Sequence, residues 1–242
     1  MLDLFRGEVY RLFHKRNMYL YLGAVMLGYV GLVFMRSGGF NQASVFDDAN
    51  TMFSFLPALL GGYFFTSLYS DDLTAKNLIT LVGYGTSRAK IVLTKLALMT
   101  VFTVVSFAIF TAIHFGIYTV LGFAATGPVI GYVLAIAFQN ILLTVGFALV
   151  ASIVVYGTQR PTFAAVAYFM LAFNVVKMIF TAISTLANVD IVSHTLSGSA
   201  GNIMLQLISG SYAAAPWLEF AGLLTLAIVA SVFVFKKKEL EF

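Results

Sequence analysis

The chain has no cysteine, which excludes disulfides and every cysteine-ligated metal site. Charged residues are scarce, 10% of 242 positions, too few for the solvated surface of a soluble domain. No Gly-x-x-x-x-Gly-Lys-Ser/Thr loop occurs, so the chain cannot cradle nucleotide phosphates in the P-loop manner. His14, His114 and His194 are far apart in sequence. They belong to no His-Glu-x-x-His pattern and no carboxylate cluster, which argues against a metalloenzyme. Ser199 in Gly198-Ser-Ala-Gly201 stands one position too early for an intramembrane serine-protease motif and reads as part of a small-residue turn.

What fills the chain instead is apolar: 60% hydrophobic residues and a mean hydropathy of +0.94. The fold class expected is all-α, a polytopic membrane protein of a single domain over 1–242. A spanning helix needs roughly 20 apolar residues. Six stretches approach that length: Met18 to Met35, Thr51 to Tyr69, Leu96 to Gly122, Val129 to Tyr156, Thr162 to Ala187 and Trp217 to Phe235. Turn formers at Arg36-Ser-Gly-Gly, Thr126-Gly-Pro128, Gln159-Arg-Pro161 and Ala215-Pro-Trp217 separate them.

The net charge of +4 does not point to nucleic acid, because the basic residues sit at the ends of apolar runs rather than along one face. They report orientation. An even number of spans puts both termini on one side. With the termini inside, the cytoplasmic segments carry Arg6, Arg11, Lys15, Arg16, Lys76, Arg88, Lys90, Lys95, Arg160, Lys236, Lys237 and Lys238, which is 12 of the 14 Lys and Arg. The outer loops carry only Arg36. The orientation expected is therefore a multi-pass cell-membrane protein with both termini cytoplasmic. Asp47, Asp48, Asp190 and Glu219 leave an acidic outer surface, which either attracts cations or has no role.

Residues 1–16 place Leu2, Phe5, Val9, Leu12 and Phe13 on one side of a helix and Glu8, Arg11, His14 and Lys15 largely opposite. Such a helix lies in the headgroup plane rather than across the bilayer. No small-residue cleavage site follows it, so it is not read as a secretory signal.

The polar island 70–95, SDDLTAKNLITLVGYGTSRAKIVLTK, separates the second and third apolar runs. It reads as two short helices. Ser70, Asp71 or Asp72 can cap the first, which sets Leu78, Leu81 and Val82 on one side. Gly83 and Gly85 allow the turn, and Thr86 or Ser87 caps a second helix carrying Arg88, Lys90 and Lys95. The residues alone leave two readings: a docking surface for another protein, or a solvated loop whose basic residues set topology.

Gly85-x-Ser87-Arg88-x-Lys90-Ile91-x-x-x-Lys95, preceded by acid-x-x-Thr74-x-Lys76-Asn77-Leu78, resembles the first cytoplasmic loop of ABC-2 type permeases, membrane subunits of ATP-binding-cassette exporters. Leu73 stands where members often have Gly, and the turn from Leu81 to Gly85 is a few residues longer than theirs. The resemblance implies that the loop is a coupling helix gripped by a separate ATPase subunit. The docking residues carried over are Asp71, Asp72, Leu73, Lys76, Asn77, Leu78, Leu81, Val82, Ser87 and Arg88. It also implies an amphipathic helix along the inner membrane face, a second permease chain, identical or paralogous, and a bacterial plasma membrane. No cofactor is expected in this chain; ATP and magnesium would belong to the partner ATPase, so the chain itself is not an enzyme. The segment 188–216 has an apolar core, Ile203 to Ile208, too short to cross. Backbone at that depth needs cover from protein or water, and similar permeases carry a re-entrant outer hairpin there. Compact permeases of this size resemble exporters of antimicrobial or cytotoxic peptides, with drugs and lipids as further substrates.

Lys177 is the one ionisable residue well inside an apolar run, and Asn174, Thr181 and Ser184 share its stripe at helical spacing. A mid-membrane Lys pairs, snorkels or faces water, so the stripe either lines a pathway or places Lys177 at the outer headgroups. His114, alone near the outer end of the third run, reads as a satisfied interface residue rather than a proton relay, and Gln139, Asn140 and Thr144 read as helix-packing glue. Two other functions remain open on the sequence. An ion-coupled carrier would use Lys177 and His114 for protons, and a non-transporting scaffold or sensor would use the same inner loop to hold a partner.

Overall fold

The computed structural model describes residues 2–35, 42–74, 77–123 and 126–238, and the regular structure among them is entirely helical. Arg36 and Lys76, expected in an outer turn and in the cytoplasmic loop, lie outside the described residues. In chain order come α1 (Leu2–Phe13), α2 (Arg16–Phe34), α3 (Gln42–Leu56), α4 (Gly62–Phe65), α5 (Asp71–Thr74) and α6 (Asn77–Gly83). They are followed by α7 (Arg88–Val120), α8 (Gly127–Thr158), α9 (Pro161–Ala172), α10 (Val175–Ala187), α11 (Leu196–Ser209) and α12 (Ala214–Lys237). Five helical runs are long and apolar enough to cross a membrane, or six if the bent pair α9 and α10 is one span. This is an all-α architecture compatible with a membrane-embedded protein.

The second run is continuous from Ala43 to Leu73, 31 residues, because π-helical turns at Pro57–Gly61 and Thr66–Ser70 join α3, α4 and α5. Pro57 has no N–H to give the carbonyl one turn earlier, and the helix widens there into π geometry. Tyr168 of α9 donates its hydroxyl to the Pro57 carbonyl at 2.7 Å. The run passes very close to its neighbours at Gly61 and Gly62. A Cβ on Gly61 would stand 2.6 Å from Thr144 Cγ2 and would strike the Tyr168 hydroxyl, and one on Gly62 would stand 2.7 Å from the Phe169 ring.

α8 is the hub of the bundle, packing against α3, α7, α9, α11 and α12. Its polar residues act as local glue: Asn140 donates to the Ile136 carbonyl, Thr144 to that of Asn140, and Ser152 Oγ meets Ser231 Oγ of α12 at 2.9 Å. In lipid such bonds keep polar groups satisfied within the protein. The outer surface is the reverse of a soluble protein's. Leu27, Val120, Leu186 and Leu226 are largely exposed, an apolar coat that suits hydrocarbon and would aggregate in water.

The stretch expected as one continuous span, 162–187, is two helices bent by 56°. The cause is Asn174, whose φ of 58° is left-handed. Asn tolerates that conformation better than most residues because its short amide can bond locally. The expected apolar core 203–208 is part of the longer helix α11, whose 14 residues remain too few to cross a bilayer.

Substitution at the close crossing tests this packing. Gly61→Val is expected to destabilise by about 1–3 kcal/mol through overpacking. Gly83→Ala has nothing within 4 Å of the added carbon and is expected to be neutral or stabilising by up to about 1 kcal/mol. Thermal unfolding of the detergent-solubilised chain, followed by ellipticity, distinguishes them.

Candidate functional site

Four charges from three separated parts of the chain meet at one end of the bundle. Glu8 and Arg11 lie one turn apart on α1, Asp72 opens α5, and Lys95 sits two turns into α7. Lys95 Nζ donates to Glu8 Oε1 at 2.9 Å and also pairs with Asp72. Arg11 pairs with Asp72 and places Nη2 2.6 Å from Glu8 Oε2. The contacts close a ring of alternating sign with no net charge. Lys95 is 1% exposed and Asp72 0%.

Burying one such charge alone costs several kcal/mol, so the ring persists only because every member has two opposite neighbours. Further donors complete it. Arg11 Nη2 reaches the Ser67 carbonyl of the second π turn at 3.3 Å, and Asn77 Nδ2 reaches Asp72 Oδ1 at 3.3 Å. The Arg11–Glu8 contact is an ion pair without hydrogen-bond alignment, which leaves Glu8 Oε2 the least satisfied oxygen of the four charges. Burial pulls the Arg11 guanidinium down, but Asp72 and Glu8 outweigh it, and its pKa lies above the ordinary value. Just outside, Lys15 pairs with Asp71, both partly exposed; such a pair contributes about 0–1 kcal/mol.

The loop beyond the ring folds back on the protein. α6 ends in a Schellman turn: Thr86 N–H bonds the Leu81 carbonyl at 3.1 Å, Gly85 N–H bonds that of Val82 at 2.9 Å, and Gly85 takes φ of 80°. That left-handed position is open to glycine at no steric cost. Ser87 caps α7 by accepting from Lys90 N–H at 3.4 Å. Arg88 donates at 2.9 Å to the carbonyls of Lys236 and Lys238, reaches that of Phe235, and lies over the Phe235 ring at 5.2 Å. It thereby satisfies the orphan carbonyls and the negative dipole end of α12. Phe235 stacks on Tyr156 of α8 at 4.4 Å, so the loop, α8 and α12 are joined at this end.

Several residues expected on a docking face are placed otherwise. Asp72 is inside the charge ring and Leu78 is buried, while Leu73, Leu81 and Val82 are half-buried against the core. In this conformation the side chains of Asp72 and Leu78 face the protein interior rather than its surface. Asp71 remains reachable, Asn77 is half-buried on Asp72, Ser87 is exposed, and Arg88 serves α12. What the loop does present is Tyr84, 84% exposed between two glycines at its tip, with Thr80 and Lys90 also outward. An exposed aromatic is the residue type that anchors interfaces, and the Gly-Tyr-Gly spacing is its sign in the sequence.

The pathway candidates fall together on the bent pair. Asn174 makes the break, and Lys177, Thr181 and Ser184 follow along α10. The hydroxyls are spent locally: Thr181 donates to the Lys177 carbonyl at 2.9 Å, and Ser184 Oγ accepts from Ile191 N–H at 3.2 Å. His114 has the hydrogen-bond partner expected of a satisfied residue, but it lies in the interior rather than at an interface. It is fully buried, with Nδ1 2.5 Å from the Tyr29 hydroxyl, beside Tyr118, which bonds Asp48 and the Ser44 carbonyl. The described residues include no group of three or more His, Cys, Asp or Glu able to hold a metal ion.

Removing one ring member tests its role. Lys95→Met leaves the two carboxylates Glu8 and Asp72 with Arg11 as their one shared cation and is expected to cost about 3–5 kcal/mol. Lys15→Ala should cost no more than about 1 kcal/mol. The double variant Asp72→Asn with Lys95→Met should cost less than the sum of its singles, read from unfolding midpoints in detergent. No family model and no curated protein matches the chain.

Proposed function

We propose that this chain is the permease subunit of an ATP-binding-cassette exporter of the ABC-2 type. In this reading it has six spans, cytoplasmic termini, α11 as the outer re-entrant element, and a second permease chain beside it. The observation that carries the reading is the build of the 70–95 loop. Among its described residues one aromatic, Tyr84, is bare, Asp72 and Lys95 are tied to α1 by the charge ring, and Arg88 is tied to α12. A solvated loop that merely sets topology has no use for such bracing, whereas a lever does.

An ATPase subunit closing on ATP beneath the membrane grips the loop around Tyr84, Thr80 and Asp71. The braced helices then carry the displacement into the bundle. Coupling of this kind requires the ATP-bound and free states of the motor to differ in their contacts with the loop. The substrate is a hydrophobic or amphipathic molecule, an antimicrobial peptide foremost, with drugs and lipids as the further classes.

Tyr84→Ala removes the exposed anchor without touching the core. It is expected to weaken binding of the co-purifying ATPase by about 2 kcal/mol or more and to abolish ATP-driven uptake into inverted vesicles, with helicity and membrane insertion unchanged. Full ATP-driven uptake by this variant would remove the lever. Uptake driven by a proton gradient alone would make the chain an ion-coupled carrier, and ATPase binding without uptake would make it a scaffold.

A further inference from the structure

At the end of the bundle away from the charge ring, a cavity of about 490 Å³ opens between α8, the bent pair α9 and α10, the start of α11, and α12. Its walls are apolar, with Phe147, Leu171, Phe180, Leu196 and Leu223 supplying most of the surface, and Lys177 stands in them. That volume falls within the range, roughly 300–1,000 Å³, of pockets that hold one drug-sized molecule. Lys177 also borders a second hollow with Asn174, Met178 and Thr181, and it is exposed.

The charges around this cavity are matched except for one. Glu219 accepts from His194 at 3.0 Å, and Asp190 accepts from Ser193 N–H at 3.1 Å. Hydrogen bonds from Ser193, its hydroxyl foremost and its N–H next, hold the Asp190 carboxyl below the ordinary carboxylate range. Lys177 has no ion pair or side-chain hydrogen bond among the described residues. The neighbouring hydroxyls of Thr181 and Ser184 are spent on backbone groups, so they offer it nothing. Lys177 is exposed, and an ammonium on a membrane-embedded helix is costly unless an anion, water or the headgroup layer meets it; of these, an anion is what the apolar cavity beside it could bring.

We infer that this cavity binds a single-chain anionic amphiphile, with the carboxylate of the ligand on Lys177 and its hydrocarbon chain among Phe147, Phe180 and Leu223. The charge selects the head and the apolar walls select the tail. The size admits one chain. The inference is independent of the exporter reading, since it needs neither an ATPase nor movement.

The test uses the full chain in nanodiscs of zwitterionic phosphatidylcholine, irradiated with a diazirine-bearing hexadecanoate, the labelled peptides being mapped by mass spectrometry. Label is expected on peptides holding Phe147, Phe180 and Leu223, and excess unlabelled hexadecanoate should suppress it while hexadecanol does not. Lys177→Gln should lower this labelling about tenfold, the loss expected for one charge-assisted hydrogen bond, and Lys177→Arg should retain it. Circular dichroism of both variants should match the parent. Equal competition by hexadecanol, or full labelling of Lys177→Gln, would show that no charge is read and overturn the assignment. Label spread over lipid-facing positions such as Leu186 would mean bulk partitioning only. Erasure of the label by added phosphatidylglycerol would give the site to a two-chain lipid and sink the single-chain ligand.

Discussion

The ring of Glu8, Arg11, Asp72 and Lys95 is the constraint on which the base of this molecule depends. Its members come from three stretches that share no local structure: α1, the end of the second long run, and the first turns of α7. Each charge is stable out of water only while the others are in place. α1 is therefore held against α7, and the run from Ala43 to Leu73 must end where Asp72 can reach both cations. A solvated loop could drift, but Asp72, held in a neutral ring, fixes where this one leaves the bundle.

The bracing extends from the ring in two directions. Toward α12, Arg88 converts the carboxyl end of the last long helix into a contact with the loop, and the stack of Phe235 on Tyr156 passes that contact to α8. Toward the interior, Arg11 bonds the Ser67 carbonyl in a π turn, where wider geometry frees carbonyls for such contacts. The same run then crosses α8 and α9 at Gly61 and Gly62, where no side chain fits. The loop is thus joined by direct contacts to α1 and α12, and through α12 to α8.

How far the sequence foretold this follows from the range of each interaction. Hydropathy is summed over about 20 neighbouring residues, so the long helices were legible, as were the Ser87 cap and the Gly85 turn, which depend on residues a few positions apart. The charge ring was not, because an acid or a lysine in a polar stretch reads as solvated and its partners are up to 87 residues away. The break at Asn174 was missed because neither Gly nor Pro marks it. The partner of His114 was not named because Tyr29 lies on another helix. The apolar ridge of α6 was recognised, but periodicity names a buried face without naming what buries it. Here that is the chain's own core.

The two ends of the bundle treat charge in opposite ways, and the contrast separates support from binding. At the base every buried cation is matched by a carboxylate of the same chain. A group with all its partners in place has nothing left for a ligand, so such an arrangement holds shape. At the far end the acids are engaged with Ser193 and His194 while Lys177 is left beside an apolar cavity. Lys177 is exposed rather than buried, and no carboxylate among the described residues holds it in place. The unmatched ammonium is therefore better explained by what enters the cavity than by what encloses it.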